Sequence, residues 1–401
     1  MSKRLEGIKV VELSTFLASA SCGKLLAQWG ADVIKIDPIY DDPYRVFGRT
    51  FLMPVTDDEN ICWQWAHANK KTIAVDPKLP EGREIILKLL ADADIMITNF
   101  KLETLKKLKL TYDDLKDEFP RLIYGLVTGY GTKGPWKNDP GFDGIAFFAR
   151  PGWQRGYGSE DLVMLPPGTV GDNITGSNLF MGLLLSLLNR QKTGKGEQVD
   201  VSLFGVSMYY TALHMVSASY YGYKLPKSKE ERLPLASPYK CKDGNFVLIN
   251  MISFERGWPA FCKEFGIEKY IEDPRFQTIS TVRQNISDMH ALFEDLFGQY
   301  DSGEMIERCL RANCPATLLG NFKDMSENVH AKEAGYLTPF TFPSGRTINL
   351  PMDYIQFTEE EPFEMKPAPL FGEHTREILT GLGYTAAQID ELIEKKATSA
   401  R

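Results

Sequence analysis

Short β-rich segments alternate with helical segments over the first third of the chain, and this pattern restricts the fold more than any other feature. Apolar strands are predicted at 8–13, 33–36, 72–75, 95–97 and 122–127. Apolar residues recur at helical spacing between them, which predicts helices at 21–29, at 81–91 and around Leu102, Leu105 and Leu108. Strands that alternate with helices form parallel sheets that are covered on both faces. The sequence therefore predicts an α/β fold with a doubly wound, mostly parallel, Rossmann-like sheet.

A stretch rich in glycine and proline, 129–171, separates this pattern from the rest of the chain. Beyond it we predict a buried apolar helix at 178–191, a strand at 198–203 and a long aromatic helix near 206–220, which is either an interface helix or a core helix. A charged linker at 224–232 precedes a strand at 246–249 and helices near 258–265, 289–300 and 304–312. We expect a discontinuous large domain, residues 1–222 and 331–401, around a smaller α+β domain, residues 223–330.

Composition excludes several classes of protein. The chain has 401 residues and a net charge of −7, which argues against nucleic acid or an anionic membrane as a bulk partner. Its six cysteines are scattered and no histidine stands at metal-ligand spacing, so neither a disulfide framework nor a metal site is expected. The N-terminus lacks the apolar segment of a signal peptide, and the most apolar stretch, 179–188, is about half the length that spans a bilayer. We expect a cytoplasmic protein.

The segment Gly129-Tyr130-Gly131-Thr132-Lys133-Gly134 matches the dinucleotide-binding fingerprint and follows a predicted strand. That fingerprint binds a pyrophosphate only when its glycines open a helix. Here Pro135 follows at once, and Asp139-Pro140-Gly141 adds further turn residues. A glycine-rich active-site loop is the preferred interpretation, and an NAD-dependent oxidoreductase remains the alternative.

Asp172 lies in a glycine-flanked segment, 168–176, directly before the apolar helix. An aspartate in this place is typical of a helix N-cap, whose side chain accepts the first helical amides. The flanking glycines also allow another molecule to approach closely. In addition, a helix N-terminus is expected to keep a carboxylate ionised and to stabilise negative charge beside it. Asp172 is therefore either a cap or a reactive carboxylate.

A set of lysines follows the second, third and fourth strands of the predicted sheet. They are Lys70, Lys71, Lys78, Lys101, Lys106 and Lys107. The carboxyl ends of parallel strands face the ligand crevice, so some of these lysines are expected to line a phosphate-binding pocket. The alternative is a solvated helix face, which we favour for Lys101, Lys106 and Lys109. Asn99-Phe100, at a strand end, offers a ligand one polar contact and one aromatic face.

Several segments together resemble the family III CoA-transferases. They are 5–13, 29–36, 69–73, 94–100 and 192–196, with Gly129-Tyr130-Gly131, Pro140-Gly141-Phe142-Asp143 and Gly372-Glu373-His374-Thr375. The resemblance places the family's nucleophilic aspartate at Asp172. It implies CoA contacts at Phe16, Leu17, Ala18, Lys78, Asn99, Phe100, Lys107 and Tyr130. Many relatives carry an arginine where this chain has Pro38. We expect Arg45 or Lys71 to bind the CoA phosphate in its place. The resemblance also implies a homodimer of interlocked rings.

The segment 140–150 resembles one branch of that family, the enzymes that use enoyl-CoA and 2-hydroxy acids, such as cinnamoyl-CoA:phenyllactate and 2-hydroxyisocaproate CoA-transferases. This implies a branched or aryl acyl group, with Asp143 and Arg150 at the substrate and Arg150 meeting a carboxylate. It also implies amino-acid fermentation alongside a 2-hydroxyacyl-CoA dehydratase. The α-methylacyl-CoA racemases share the fold but carry a histidine where this chain has Phe142. A transferase is therefore preferred, and a racemase or a non-catalytic acyl-CoA-binding protein remains the alternative.

In the mechanism that the resemblance implies, Asp172 attacks an acyl-CoA to give a mixed anhydride and then an aspartyl-CoA thioester. Coenzyme A enters as part of the substrate, and the acceptor is a small carboxylic acid. A carboxylate that is already ionised needs no general base for this attack. The backbone near Gly129, Gly131 and Gly171 is the candidate oxyanion hole.

Overall fold

The computed structural model describes residues 4–158, 163–352, 354–358 and 364–401. The first residues, Met1–Lys3, where the expectation about a signal peptide begins, lie outside the described part. Two compact units are present. The first contains Met1–Gln154, Leu165–Tyr223 and His330–Arg401, and the second contains Arg155–Met164 and Lys224–Val329.

Within the described residues, twelve strands form three sheets. They are β1 Lys9–Leu13, β2 Asp32–Pro38, β3 Lys71–Val75, β4 Ile95–Thr98, β5 Ile123–Thr128, β6 Gln198–Ser202, β7 Pro238–Lys240, β8 Phe246–Ile249, β9 Ala316–Leu318, β10 Leu337–Thr341, β11 Thr347–Pro351 and β12 Thr398–Ser399. The large sheet of the first unit has the order β12-β3-β2-β1-β4-β5-β6. Every pair in it is parallel except β12 with β3. The predicted doubly wound, mostly parallel sheet is confirmed.

Seventeen α-helices accompany the strands in the described residues. They are α1 Ala18–Gln28, α2 Ile61–His67, α3 Pro80–Leu90, α4 Leu102–Leu108, α5 Tyr112–Leu115, α6 Trp153–Tyr157, α7 Val170–Thr193, α8 Leu203–Tyr210, α9 Ala212–Tyr221, α10 Phe254–Phe265, α11 Ile279–Gln284, α12 Ile286–Phe297, α13 Ser302–Arg311, α14 Phe322–Met325, α15 Val329–Glu333, α16 Thr375–Gly381 and α17 Ala386–Glu394. Short 3₁₀ segments include Pro43–Phe51, and a π-helix covers Asp143–Ala149. No helix among these is long and apolar enough to cross a membrane.

Helices cover both faces of the large sheet, as the strand β4 shows. Successive side chains of a strand point to opposite faces. Ile95 and Ile97 accordingly belong to a buried cluster with Leu179 and Leu183 of α7, whereas Met96 belongs to a cluster with residues of α3 and α16 on the other face. Strands buried on both sides are continuous apolar runs, which is the pattern that the sequence shows here.

Two predictions about apolar helices were wrong in part. The helix predicted at 178–191 is α7, but only one face is buried, since Leu185 and Leu188 are largely exposed. The helix predicted near 206–220 is divided at Thr211 into α8 and α9. Helix α9 has no buried residue, so it is not a core helix of this chain. Apolar periodicity marks a face that avoids water, and it does not say which surface covers that face.

The second unit has its own core. Its antiparallel sheet has the order β7-β8-β9. Trp258 and Phe261 of α10 pack with Phe293 of α12 in a fully buried aromatic cluster beside this sheet. This arrangement is the α+β architecture expected for the smaller part of the chain.

Candidate functional site

The candidate site lies at the carboxyl ends of β1, β4 and β5. In the observed strand order, β1 and β4 are neighbours, and the chain leaves them in opposite directions along the sheet. Ligands of doubly wound proteins bind in the crevice at such a point. A cavity of about 700 Å³ opens there. It is lined by Thr15, Phe16, Ala18, Asn99, Phe100, Lys101, Leu102, Glu103, Thr104, Val127, Thr128, Gly129, Lys137, Asn138, Asp139, Pro140, Gly141, Phe142, Asp172 and Leu203.

Asp172 is the third residue of α7 and its side chain lines the cavity. The interpretation as an N-cap is wrong, because the cap position belongs to Thr169, which has a left-handed backbone with φ 78°. The carboxylate of Asp172 accepts no hydrogen bond from any residue that the structure describes, although the side chain is half-buried. A half-buried carboxylate without a protein partner, at the wall of a cavity, is available to react with a ligand.

Asp143 supplies the cap that Asp172 does not. Its buried carboxylate accepts the backbone amide of Thr169 at 2.9 Å and that of Asp172 at 2.9 Å. It also receives the amide of Gly171. A Cβ atom at Gly171 would lie 2.3 Å from Oδ1 of Asp143, so only glycine fits there. Since Asp143 already occupies these amides, they are not free to hold an oxyanion, and the expected roles of Asp143 and Gly171 at the substrate change to positioning of the helix start.

The protonation of Asp172 also differs from the expectation. Burial, and after it the nearby carboxylate of Asp143, raise the pKa of Asp172 to about 7. The helix N-terminus therefore does not by itself keep this carboxylate ionised, because removal from water penalises the charged form more strongly. Near neutral pH the free site contains both the ionised and the protonated form of Asp172.

The glycine-rich segment after β5 forms turns as far as Asp143, and no helix opens at its glycines. The observed backbone is therefore a turn-rich loop and lacks the helix of a dinucleotide fingerprint. A Cβ atom at Gly129 would lie 2.8 Å from Cα of Gly141, so two glycines allow the loop to fold back against the strand end. Gly131 donates its amide to Oγ1 of Thr128 at 2.7 Å and is not free for an oxyanion. Gly129 lines the cavity.

Four of the residues predicted to contact CoA line the cavity together: Phe16, Ala18, Asn99 and Phe100. Asn99 fixes the turn after β1, since its side chain accepts the amide of Thr15 at 3.1 Å and donates to the carbonyl of Thr15 at 2.6 Å. Leu17 does not line the cavity, because it points into the core, where it belongs to a cluster with Tyr44 and Trp63.

Arg45 and Lys71, the two expected substitutes for the missing arginine, are both occupied elsewhere. Arg45 pairs with Asp41 at 2.8 Å and with the buried Asp37 at 3.5 Å, and its guanidinium lies 3.6 Å from the ring centre of Trp63. Lys71 is the first residue of β3 and lies at the amino end of the strand, away from the cavity at the carboxyl ends. It pairs with Glu377 at 2.8 Å. Neither residue lines the cavity, so the structure does not support either as its phosphate ligand.

The lysines that do line the cavity are Lys101 and Lys137. Lys101, for which the sequence pattern favours a solvated helix face, lines the cavity because it follows the carboxyl end of β4. Lys137 was missed, because its loop is irregular and no periodicity marks it. Lys78 and Lys107 are exposed and lie outside the cavity lining.

Arg150 packs against the rings of Tyr130 and Trp136 beside the cavity. The guanidinium of Arg150 lies 4.6 Å from the ring centre of Tyr130 and 4.3 Å from that of Trp136, and it pairs with Asp139 at 2.9 Å. Because Asp139 already balances its charge, Arg150 holds the loop in place and does not face the cavity as a free carboxylate receptor. Tyr130 is buried and does not line the cavity.

Comparisons with known proteins identify the family of this chain. The model of CoA-transferase family III matches residues 5–375. The (R)-2-hydroxy-4-methylpentanoate CoA-transferase of Clostridioides difficile is 37% identical over 98% of each chain. The cinnamoyl-CoA:phenyllactate CoA-transferase of Clostridium sporogenes is 32% identical over 98% of this chain and 97% of its own. A CAIB/BAIF family protein from Brucella suis superimposes with a TM-score of 0.80 at 26% identity, over 95% of this chain and 100% of its own. The chain therefore belongs to CoA-transferase family III and is a CoA-transferase.

Proposed function

We propose that this enzyme moves CoA from an acyl-CoA or enoyl-CoA thioester to a free 2-hydroxy acid, with Asp172 as the covalent nucleophile. The observation that carries the proposal is the carboxylate of Asp172, half-buried and without a protein partner, at the wall of a cavity of about 700 Å³. A cavity of this size is in the range that holds a small ligand.

Four displacement steps account for the transfer. The carboxylate of Asp172 attacks the thioester carbonyl, which forms a mixed anhydride and releases CoA as a thiolate. The thiolate attacks the aspartyl carbonyl of the anhydride, which gives aspartyl-CoA thioester and the donor acid. The carboxylate of the 2-hydroxy acid then attacks aspartyl-CoA, which forms a second anhydride and again releases thiolate. Attack of this thiolate on the acceptor's carbonyl yields the new acyl-CoA and restores Asp172.

The surroundings of Asp172 favour these steps. Asp143 fixes the first turn of α7, so the nucleophile needs no reorganisation before it attacks. Gly129 stays a candidate for contact with the oxyanion because it lines the cavity, whereas the amides of Gly131 and Gly171 are occupied. Water has to be excluded from the cavity, because an anhydride hydrolyses readily.

Lys101 and Lys137 are proposed to hold the CoA phosphates. Both line the cavity, and neither forms an ion pair within the described residues. Phosphate is bound well by lysine as a point charge. Lys78 and Lys107, both exposed and outside the cavity lining, are proposed as weaker, peripheral contacts.

The choice of a 2-hydroxy acid rests on the two relatives described above, which are named as CoA-transferases of 2-hydroxy-4-methylpentanoate and of phenyllactate. We also propose that the enzyme acts in the cytoplasm, in amino-acid fermentation, alongside a 2-hydroxyacyl-CoA dehydratase, as the resemblance of segment 140–150 implies.

We propose a homodimer as the working form. The helices α8 and α9 present apolar side chains to the surface, among them Tyr209, Leu213 and Tyr220, each more than three-quarters exposed. Apolar patches of this kind are typical of interfaces between proteins. Sedimentation of the purified protein tests this, and a monomer at micromolar concentration would contradict it.

The central test traps the aspartyl intermediate. The protein is incubated with acyl-CoA but no acceptor acid, treated with hydroxylamine, digested and mapped by mass spectrometry. We expect a hydroxamate at Asp172 in the wild type and none in Asp172→Asn. Asp200→Asn, at an exposed aspartate of β6, is the matched control and should behave as wild type.

The remaining classes give different results. A racemase would exchange the α-proton of its acyl-CoA in D₂O without moving CoA between acids. A non-catalytic protein would bind acyl-CoA and form no hydroxamate. Full CoA transfer by Asp172→Asn would contradict the proposed mechanism.

A further inference from the structure

Phe16 has an unusual backbone conformation at the mouth of the cavity. Its φ of 59° lies in the left-handed region, which bulky side chains rarely adopt. Glycine or asparagine would take this conformation more readily. A strained residue beside a ligand cavity persists only where the surrounding structure fixes it, and such residues concentrate at functional sites.

Two side chains fix the turn at Phe16. Oδ1 of Asp42 accepts the backbone amide of Phe16 at 3.2 Å, and Asn99 holds both backbone groups of Thr15. Asp42 is itself paired with Lys35 at 3.0 Å, and both side chains are fully buried. A buried ion pair without solvent access holds its geometry closely, so the backbone of Phe16 is fixed by the core beneath it.

The ring of Phe16 meets that of Phe142 edge to face. Their centres are 5.5 Å apart and the rings are inclined at 80°. Both residues line the cavity that contains Asp172. Phe142 directly precedes Asp143, whose carboxylate holds the amide of Asp172, so the pair is fixed relative to the nucleophile. We call these two rings the aromatic wall.

The aromatic wall is only partly covered by protein. Phe142 is 55% exposed. A phenylalanine ring that is exposed inside a cavity is stabilised by contact with an apolar ligand. The two rings therefore present an apolar surface to the cavity, which favours contact with an apolar group of the ligand.

We propose that the aromatic wall selects the acyl chain of the substrate: it packs against the branched or aryl group of the 2-hydroxy acid and of its CoA ester. This inference rests on the proposed function and assigns a part of its specificity to Phe16 and Phe142. Discrimination in an apolar pocket amounts to about 10- to 200-fold for each methylene group.

The test removes each ring without disturbing the backbone. Phe16→Gly accepts the left-handed conformation without strain, and Phe142→Ala lies in an exposed loop. For both variants kcat/KM is measured with 2-hydroxy-4-methylpentanoate, phenyllactate and lactate as acceptors. We expect a loss of about 10- to 100-fold for the two large acids and less than about 3-fold for lactate. Phe322→Ala, at an exposed phenylalanine of α14, is the matched control and should leave all three values unchanged.

The outcomes separate the inference from the proposed function. If the wild type transfers CoA to none of the acids, the proposed function fails and the role of the wall with it. If the wild type is active but the ratio between large acids and lactate is unchanged in both variants, the inference alone is wrong. An equal loss of kcat/KM for all three acids, through a higher KM for every CoA ester, would show that the rings hold CoA. That result would also overturn the inference about the acyl chain. Formation of the Asp172 hydroxamate by both variants shows that the nucleophile still works.

Discussion

Replacement of Asp172 by asparagine is expected to stabilise the protein at neutral and alkaline pH, although it removes the proposed nucleophile. Burial and the neighbouring carboxylate of Asp143 raise the pKa of Asp172 from 3.8 to about 7. The folded protein therefore carries a free-energy cost whenever this carboxylate is ionised, and the neutral amide of asparagine has no charge for burial to penalise. Active-site groups commonly reduce stability for the sake of reactivity.

The magnitude follows from the pKa. A rise of about three units corresponds to about 4 kcal/mol. At pH 8 the free energy of unfolding of Asp172→Asn should therefore exceed that of the wild type by about 4 kcal/mol.

The sign of the pH dependence is fixed by the same pKa. Below the ordinary value of 3.8, Asp172 is protonated in the folded and the unfolded state, and the advantage of the variant vanishes. Between that pH and about 7 the folded wild type binds more protons than the unfolded chain, so its stability falls relative to the variant as the pH rises. Above about pH 7 the difference is constant.

Urea unfolding followed by tryptophan fluorescence, at several pH values between about 4.5 and 8.5, measures this difference. Subtraction of the wild type from the variant at each pH removes the contribution of all other titrating groups. Asp200→Asn, at the exposed aspartate, should show a flat difference of less than about 0.5 kcal/mol. A difference for Asp172→Asn that stays flat between pH 5 and 7, or a variant less stable than the wild type at pH 8, would refute the reasoning.

Three further predictions concern the neighbours of Asp172. Asp143→Asn removes a negative charge beside Asp172 and should lower the pKa of Asp172. The acidic limb of the pH profile of kcat/KM, which follows ionisation of Asp172, should therefore move to lower pH. An unchanged limb would contradict the proposed coupling. Gly171→Ala places a Cβ atom 2.3 Å from the Asp143 carboxylate and should lower the free energy of unfolding by about 3 kcal/mol, whereas Gly144→Ala, with open space around it, should change it little. Lys137→Ala should raise KM for acyl-CoA several-fold with little change in kcat, and an unchanged KM would remove this lysine from the phosphate site.

Much of the large sheet was accessible from the sequence because its signals are local. Apolar runs at 8–13 and 95–97 correspond to β1 and β4, and helical spacing identified α1 and α3. The glycines around Asp172 also drew attention to this carboxylate, but the structure gives Gly171 a packing role, because a Cβ atom there would lie 2.3 Å from Oδ1 of Asp143. The exposed face of α7 was not accessible, because an apolar periodicity is the same whether a face packs inside the chain or against a partner.

The positions of charged residues around the site were the least predictable. Arg45 and Arg150 looked suited to bind phosphate and carboxylate, but each is paired with carboxylates of its own chain. Lys71 is the first residue of β3 and therefore lies at the amino end of the strand, whereas the cavity lies at the carboxyl ends of the strands. Whether a lysine can bind phosphate in the cavity depends on which end of the strands it lies at. Only the folded sheet shows which lysines lie at the carboxyl ends.

The sequence by itself determined the alternation of strands and helices, the glycine-flanked aspartate and, through resemblance along the chain, the family. Only the tertiary structure brought Asp143 to within 2.9 Å of the amide of Asp172, across 29 residues, and set the rings of Phe16 and Phe142 side by side. Periodicity and turn chemistry act between near neighbours in the chain, so they can be recognised in a linear pattern. The pKa of a nucleophile and the shape of its cavity arise from groups that are distant in sequence, and these exist only after the chain has folded.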